Sequence, residues 1–255
     1  MAGGRPDTGT VPNTSPPPPA PDVARGVFSS PGSFDRIVRY AEWLAEAGVV
    51  RGLIGPREVP RLWDRHLLNC AVLGEVVPRE ARVADIGSGA GLPGLVLAIL
   101  RDDLDVTLVE PLLRRTTFLE EVVADLELRN VTVVRGRADA LHGTATYDVV
   151  TSRAVAALPK LLEWSMPLVD PHGALVAMKG SSVREEVEAA RPALARWGCA
   201  EPTVHELGVG VVEATTVALR VAWADPGRVS WPSVSEGGTA AGSPGRQSKK
   251  AKRRR

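Results

Sequence analysis

From Ser33 onward, apolar residues fall at helical spacing: Phe34, Ile37, Val38, Ala41 and Leu44 share one face, with Ser33 as N-cap and a body reaching Glu46. After the loop at 48–55, Pro56 suits the first turn of a second helix whose apolar face is Val59, Leu62, Trp63, His66, Leu67 and Cys70. The two predict a helical cap over 28–78. Beyond Pro78 short β-branched runs alternate with helical segments, the pattern of βαβ units. Strands are expected over 82–86, 105–110, 131–134, 147–151 and 174–179, with helices starting near Leu92, Leu113, Leu158 and Val183. The last helix carries Val183, Val187, Ala190, Leu194 and Trp197 on one face and stops at Gly198. Two final strands, 203–208 and 216–223, can pair as a hairpin. The whole predicts an α/β, Rossmann-like domain over 79–226, with a mostly parallel seven-stranded sheet.

Composition changes this picture only at the ends. A length of 255 residues allows one principal domain with appendages, and 25 Gly and 21 Pro imply irregular segments somewhere. Pro12, the run Pro16 to Pro19, and Pro21 put much of that irregularity in 1–27, which is expected to be disordered. At the other end, 227–255 reads as a basic, disordered tail closing on Lys249, Lys250, Lys252, Arg253, Arg254 and Arg255. The net charge of +1 therefore averages over uneven segments. Such a tail attracts phosphate without reading sequence, or is simply a solvated end. The longest apolar stretch, 92–100, is about half a bilayer span and holds Pro93 and Gly94, so neither a membrane helix nor, at the proline-rich start, a secretory leader is expected. Two cysteines, Cys70 and Cys199, make neither a disulfide framework nor a metal cluster, which fits a reducing cytoplasm.

The candidate chemistry begins where the first strand meets its helix. Asp85 precedes a turn containing Gly87, Gly89 and Gly91, followed by Leu92, Pro93 and Gly94. Glycines there admit positive φ and let a ligand lie against the backbone. Glu110 ends the second strand, placed for a carboxylate to accept from ribose hydroxyls. A carboxylate at Asp85 would repel a pyrophosphate but can engage an ammonium, which favours S-adenosylmethionine over NAD; it can also cap the adjoining turn. After the third strand, Ala138 and Asp139 are positioned to receive an adenine, by backbone and carboxylate respectively.

With these residues in view, the chain resembles the bacterial RsmG family, also called glucose-inhibited division protein B. Those are class I S-adenosylmethionine-dependent methyltransferases acting on guanine N7 in 16S small-subunit ribosomal RNA. The resemblance covers roughly 59–180. It is carried by Arg65, His66, Leu67 and Leu68, by Asp85 to Gly94, by Arg114 and Arg115 with Phe118 and Leu119, by Ser152, Arg153 and Ala154, and by Met178, Lys179 and Gly180. It implies that Gly87, Leu92, Ala138, Asp139 and Arg153 line the cofactor site. Where many members carry Asn-Leu-Thr between the cap helices, this chain has 50–55 instead.

Guanine N7 already offers a lone pair, so methyl transfer to it needs no general base and no metal, and catalysis is mostly positioning. Accordingly His66, His142, His172 and His205 lack metal spacing, and no cysteine follows a core strand. Arg153 is the candidate catalytic residue, facing both cofactor and base, because arginine can hold guanine O6 or a phosphate. Arg65, Arg114, Arg115 and Lys179 are candidates for RNA contact; exposed charge is the commoner account of Arg114 and Arg115, and a solvated strand-end lysine is the alternative for Lys179. His66, on an apolar helix face, reads as a core histidine. The expected partner is 16S ribosomal RNA or the small subunit, met by a monomer. A methyltransferase for a small molecule or protein, an NAD-dependent reductase and a cofactor-binding module remain open; the lack of a Tyr-x-x-x-Lys pair weighs against the reductase.

Overall fold

The computed structural model describes residues 16–213 and 215–229. In chain order the cap holds α1 (Asp22–Val27), α2 (Ser33–Trp43) and α3 (Leu68–Ala71). The α/β domain follows as β1 (Arg82–Ile86), α4 (Gly94–Leu100), β2 (Asp105–Glu110), α5 (Leu113–Asp125), β3 (Val131–Arg135), β4 (Tyr147–Arg153), α6 (Leu158–Ser165), β5 (Val169–Lys179), α7 (Val183–Ala189), α8 (Arg191–Trp197), β6 (Thr203–Leu207) and β7 (Thr216–Ala222). The strands form one sheet in the order β3-β2-β1-β4-β5-β7-β6. The five from β1 to β5 run parallel, while β7 is antiparallel to both β5 and β6. Strand order reverses beside β1, between β2 and β4, which opens a crevice at the carboxyl ends.

Two apolar cores clothe the sheet. One joins Val83, Val106 and Leu108 of the sheet to Leu95 and Leu97 of α4, Phe118 of α5, and Ile37, Tyr40, Leu62 and Leu67 of the cap. The other buries Leu158, Leu161 and Leu162 of α6 with Val187 and Leu194 against Leu175 and Leu219. The cap thus shares its core with the cofactor-binding half of the sheet. Tyr40 makes the tie specific, since its buried hydroxyl donates to Ala90 O at 2.6 Å.

Several expectations shift for identifiable reasons. Part of the proline-rich start is ordered: α1 buries Ala24, Phe28 is 1% exposed, and Pro18 O accepts from Trp63 Nε1 at 2.9 Å. The disorder expected over 1–27 therefore does not describe residues 16–27, because Trp63 and the cap core supply partners that composition does not reveal. Residues 1–15 and the basic stretch from 230 lie outside the described residues. The N-cap of α2 is Gly32 at φ 76°, not Ser33, whose hydroxyl donates back to Ser30 O at 2.7 Å. The second cap helix is irregular: a 3-10 segment at Pro56–Arg61, a π-helical segment at Leu62–Leu67, then α3 and a further 3-10 segment at Val72–Val76. Pro60, with no N–H, interrupts the ladder there.

The final helix divides into α7 and α8 at Ala190, where Pro192 lacks the N–H a continuous helix would use; Gly198 closes α8 at φ 67° as expected. Strand β5 starts at Val169 rather than 174, its pairing with β4 shifting register between Tyr147 and Val149. Gly173 makes this possible, because a Cβ there would lie 2.7 Å from Asp148 O. Among the described residues no helix is long and apolar enough to cross a membrane.

Candidate active site

The turn after β1 is held from three sides. Its glycines adopt positive φ, 70° at Gly87, 58° at Gly89 and 97° at Gly91. Gly91 is a packing requirement, for a Cβ there would lie 2.3 Å from Leu95 Cδ1 and 2.9 Å from the Tyr40 hydroxyl. Gly87 and Gly89 face a cleft of about 590 Å³. The apolar walls of this cleft include Ile86, Leu92, Val109, Leu112 and Ala138.

Glu110 closes the cleft floor and is 1% exposed on its side chain. Its Oε2 accepts from Gly89 N–H at 3.0 Å and its Oε1 from Leu112 N–H at 3.1 Å, which fixes the plane of the carboxylate and leaves lone pairs for a diol. Arg115 Nη1 stands 3.5 Å from Oε2, and Arg115 Nε is buried with no partner. Arg115 lines the same cleft as Glu110. Arg114 beside it is exposed.

Asp85 is fully buried and does not line the cleft. Its Oδ2 accepts from Gly94 N–H at 3.0 Å, capping the start of α4 from behind the turn, while Oδ1 is buried with no partner. Desolvation pushes its carboxyl from 3.8 to about 7, against the Gly94 and Ser88 hydrogen bonds that favour the anion. The folded pKa exceeds the unfolded one, so the stability Asp85 contributes is full below about pH 4 and is lost as pH rises through about 7. Asp85→Asn should therefore flatten the fall in melting temperature of the ligand-free protein between those pH values. Parallel profiles of variant and wild type would contradict this.

Asp139 is also off the cleft wall: its carboxylate is 55% exposed and pairs with Arg137 Nε at 3.6 Å, so Arg137 and Ala138 line the cleft where Asp139 was expected. Arg65 pairs with Glu58 at 3.3 Å and is 56% exposed. Lys179 is nearly buried and donates to Glu186 Oε1 at 2.8 Å, an acceptor shared with Leu158 N–H. Its charge is already matched within the fold.

Arg153, at the end of β4, lies where the cofactor cleft meets a second cleft of about 890 Å³ between β5, α7 and the β6–β7 pair. Arg153, Ala154 and Val155 line both. Sequence reasoning missed the residues that hold it there: Nη2 lies 2.6 Å from His66 Nδ1 and Nη1 3.2 Å from Cys70 Sγ. Cys70 is buried as expected of a small apolar side chain, and burial pushes its thiol up. No group of three or more His, Cys, Asp or Glu side chains among the described residues is arranged to hold a metal ion.

The cleft passes a physical test for a nucleoside sulfonium. Two glycines open the wall to a ligand, a buried carboxylate faces it, apolar side chains line it, and the buried Nε of Arg115 on that wall lacks a partner. Together with the sheet order, this defines a Rossmann-like methyltransferase whose cofactor is S-adenosylmethionine. The chain belongs to the rRNA small subunit methyltransferase G (GidB) family, whose model matches residues 34–211. It is 68% identical over 218 residues to the ribosomal RNA small subunit methyltransferase G of Nocardioides sp., covering 84% of this chain and 86% of that one. The protein of the same name from Streptomyces avermitilis is 57% identical over 205 residues, covering 80% and 85%. That of Thermobifida fusca is 55% identical over 200 residues, covering 78% and 84%.

Proposed function

We propose that this chain transfers a methyl group from S-adenosylmethionine to N7 of a guanine in 16S ribosomal RNA, acting as a cytoplasmic monomer on the small subunit. The observation that carries the reading is the meeting of a cofactor cleft and a second cleft at one arginine. Family membership supports the ribosomal substrate. When bound, S-adenosylmethionine supplies an electrophilic methyl group on a sulfonium. Gly87, Gly89, Leu92 and Ala138 would hold it against the backbone, with Glu110 on the ribose hydroxyls. Asp85, buried behind the turn, would act on the cofactor only through the backbone that it holds at Gly94.

The second cleft would take the guanine, and Arg153 would orient it through O6 with N–H groups not used by His66 and Cys70. Guanine N7 carries its own lone pair, so no base or metal is needed. The residues around Arg153 agree: both ring nitrogens of His66 are engaged by Glu58 and Arg153 and so are not directed at the base, and the thiol of Cys70 is buried beneath the arginine. Arg65 and Arg114, exposed near the clefts, would meet phosphates. Lys179 would do so only after leaving Glu186.

Chain scission after borohydride reduction of the methylated RNA tests the position, since only a methylated N7 makes the guanine ring labile. A single new break supports N7, whereas a methylated but uncleaved RNA contradicts it. For the tail, removal of residues after Gly245 should weaken RNA affinity at low salt and flatten the salt dependence, because it deletes a cluster of cations. Unchanged affinity at low salt would leave the tail a solvated end.

A further inference from the structure

Glu58, His66 and Cys70 all come from the cap, yet they converge on the arginine at the junction of the two clefts. His66 Nε2 lies 2.8 Å from Glu58 Oε2, and the other oxygen of Glu58 takes Arg65 at 3.3 Å. An arginine only donates, so His66 Nδ1 must be the acceptor in the 2.6 Å contact with Arg153 Nη2. The ring proton then sits on Nε2 and is donated to Glu58. The partners thus set one tautomer of a neutral imidazole.

The charges around the ring agree with that assignment. Those facing His66 are Arg153 from β4 and Glu58 and Arg65 from the cap. Desolvation of the nearly buried ring and the Arg153 guanidinium hold its pKa below the ordinary imidazole range, although Glu58 pulls the other way. His66 also lines the cofactor cleft, so the contact forms part of the active-site wall.

We propose that Glu58 and His66 form a positioning relay that fixes the Arg153 guanidinium across the opening between the clefts, so that its remaining N–H groups meet the incoming guanine. The inference rests on the reading of Arg153 as the residue that orients the base. No proton moves through the relay. Glu58 holds the ring by its Nε2–H, the ring holds one Nη, and Cys70 holds the other. Three N–H donors of the guanidinium are left for substrate. Freed from the relay, a long side chain samples several rotamers, and misplacement of about 1 Å at a reacting centre costs about 100-fold in rate.

The test is steady-state methyl transfer by the full chain to small ribosomal subunits lacking their methylations. His66→Ala should lower kcat about 10- to 100-fold, with KM for the subunit and Kd for S-adenosylmethionine little changed. His66→Asn, whose amide oxygen can replace Nδ1 as acceptor, should recover much of the loss. Thermal unfolding of each variant separates a failure to fold from a failure to position.

The pH profile adds a readout that mere packing would not move. Wild-type kcat should fall on the acid side, below the value of about 6.5 for a free imidazole, as His66 takes up a proton and Nδ1 ceases to accept. Glu58→Gln removes the charge that favours the imidazolium, so it should move that limb to lower pH, and His66→Asn should abolish it. Wild-type kcat in both His66 variants alongside an impaired Arg153→Ala, or an acid limb that persists in His66→Asn, would overturn the relay. Full turnover in Arg153→Ala would instead overturn the reading on which the relay rests.

Discussion

Gly87→Asp should reduce S-adenosylmethionine affinity by at least about 100-fold, equivalent to some 3 kcal/mol, while the protein remains folded. Three effects combine. Residue 87 holds φ 70°, where a side chain costs about 1–2 kcal/mol. A Cβ there would lie 3.1 Å from Val155 Cγ2, on a segment that lines both clefts. The new carboxylate would also enter a site that already holds the buried Glu110. Gly89→Ala is the milder comparison, because a Cβ at 89 meets no protein atom nearer than Gly87 O at 3.8 Å and brings neither a clash with Val155 nor a charge. Titration calorimetry with melting curves distinguishes the two variants. Wild-type affinity in Gly87→Asp would remove this turn from the cofactor site.

Arg153→Ala should lower kcat by about 100- to 1,000-fold, the usual effect of deleting one preorganised donor at a reacting centre. Cofactor affinity should change far less, since Glu110 and the glycine turn are untouched. Some stability should be lost too, about 1–3 kcal/mol, because His66 Nδ1 and Cys70 would face an empty space without their donor. Arg153→Lys should not restore turnover, for a single ammonium cannot reproduce the fork that reaches two acceptors and a base together. Wild-type turnover in Arg153→Ala would show that the base is oriented by another group.

How much of this was legible in the sequence depended on how local the chemistry is. The glycine turn and Glu110 could be read directly because a strand, a tight turn and the end of the neighbouring strand are defined by short-range pattern. The order of the strands and the pairing of β7 with β5 are set by the folded sheet, whereas the parallel βαβ strands and the antiparallel pairing of the two late strands followed from alternation and turn signals. The start of β5 did not, because Asp170, Pro171, His172 and Gly173 have the composition of a turn, and only the sheet context makes them a bulged strand.

The cap contributes the rest, through contacts far apart in sequence. His66 meets Arg153 across 87 positions and Cys70 meets it across 83, so no spacing rule brings them together. The expectation that His66 is a core histidine was right about burial and silent about its partner. A signal did exist: His66 and Cys70, four apart, place two polar groups on one apolar helix face that packs toward the carboxyl end of β4. Asp139 and Lys179 show the opposite case. Each stands at the right place in the chain, but Asp139 turns outward to Arg137 and Lys179 is claimed by Glu186.

Transfer of labelled methyl from S-adenosylmethionine to small ribosomal subunits lacking their methylations, followed by mapping of the modified nucleotide, tests the central claim most directly. The account predicts label on 16S RNA at N7 of one guanine, lost in Gly87→Asp. Absence of label from every ribosomal substrate, with calorimetry still showing cofactor binding, would contradict it and assign the same fold and cleft to a small-molecule or protein substrate.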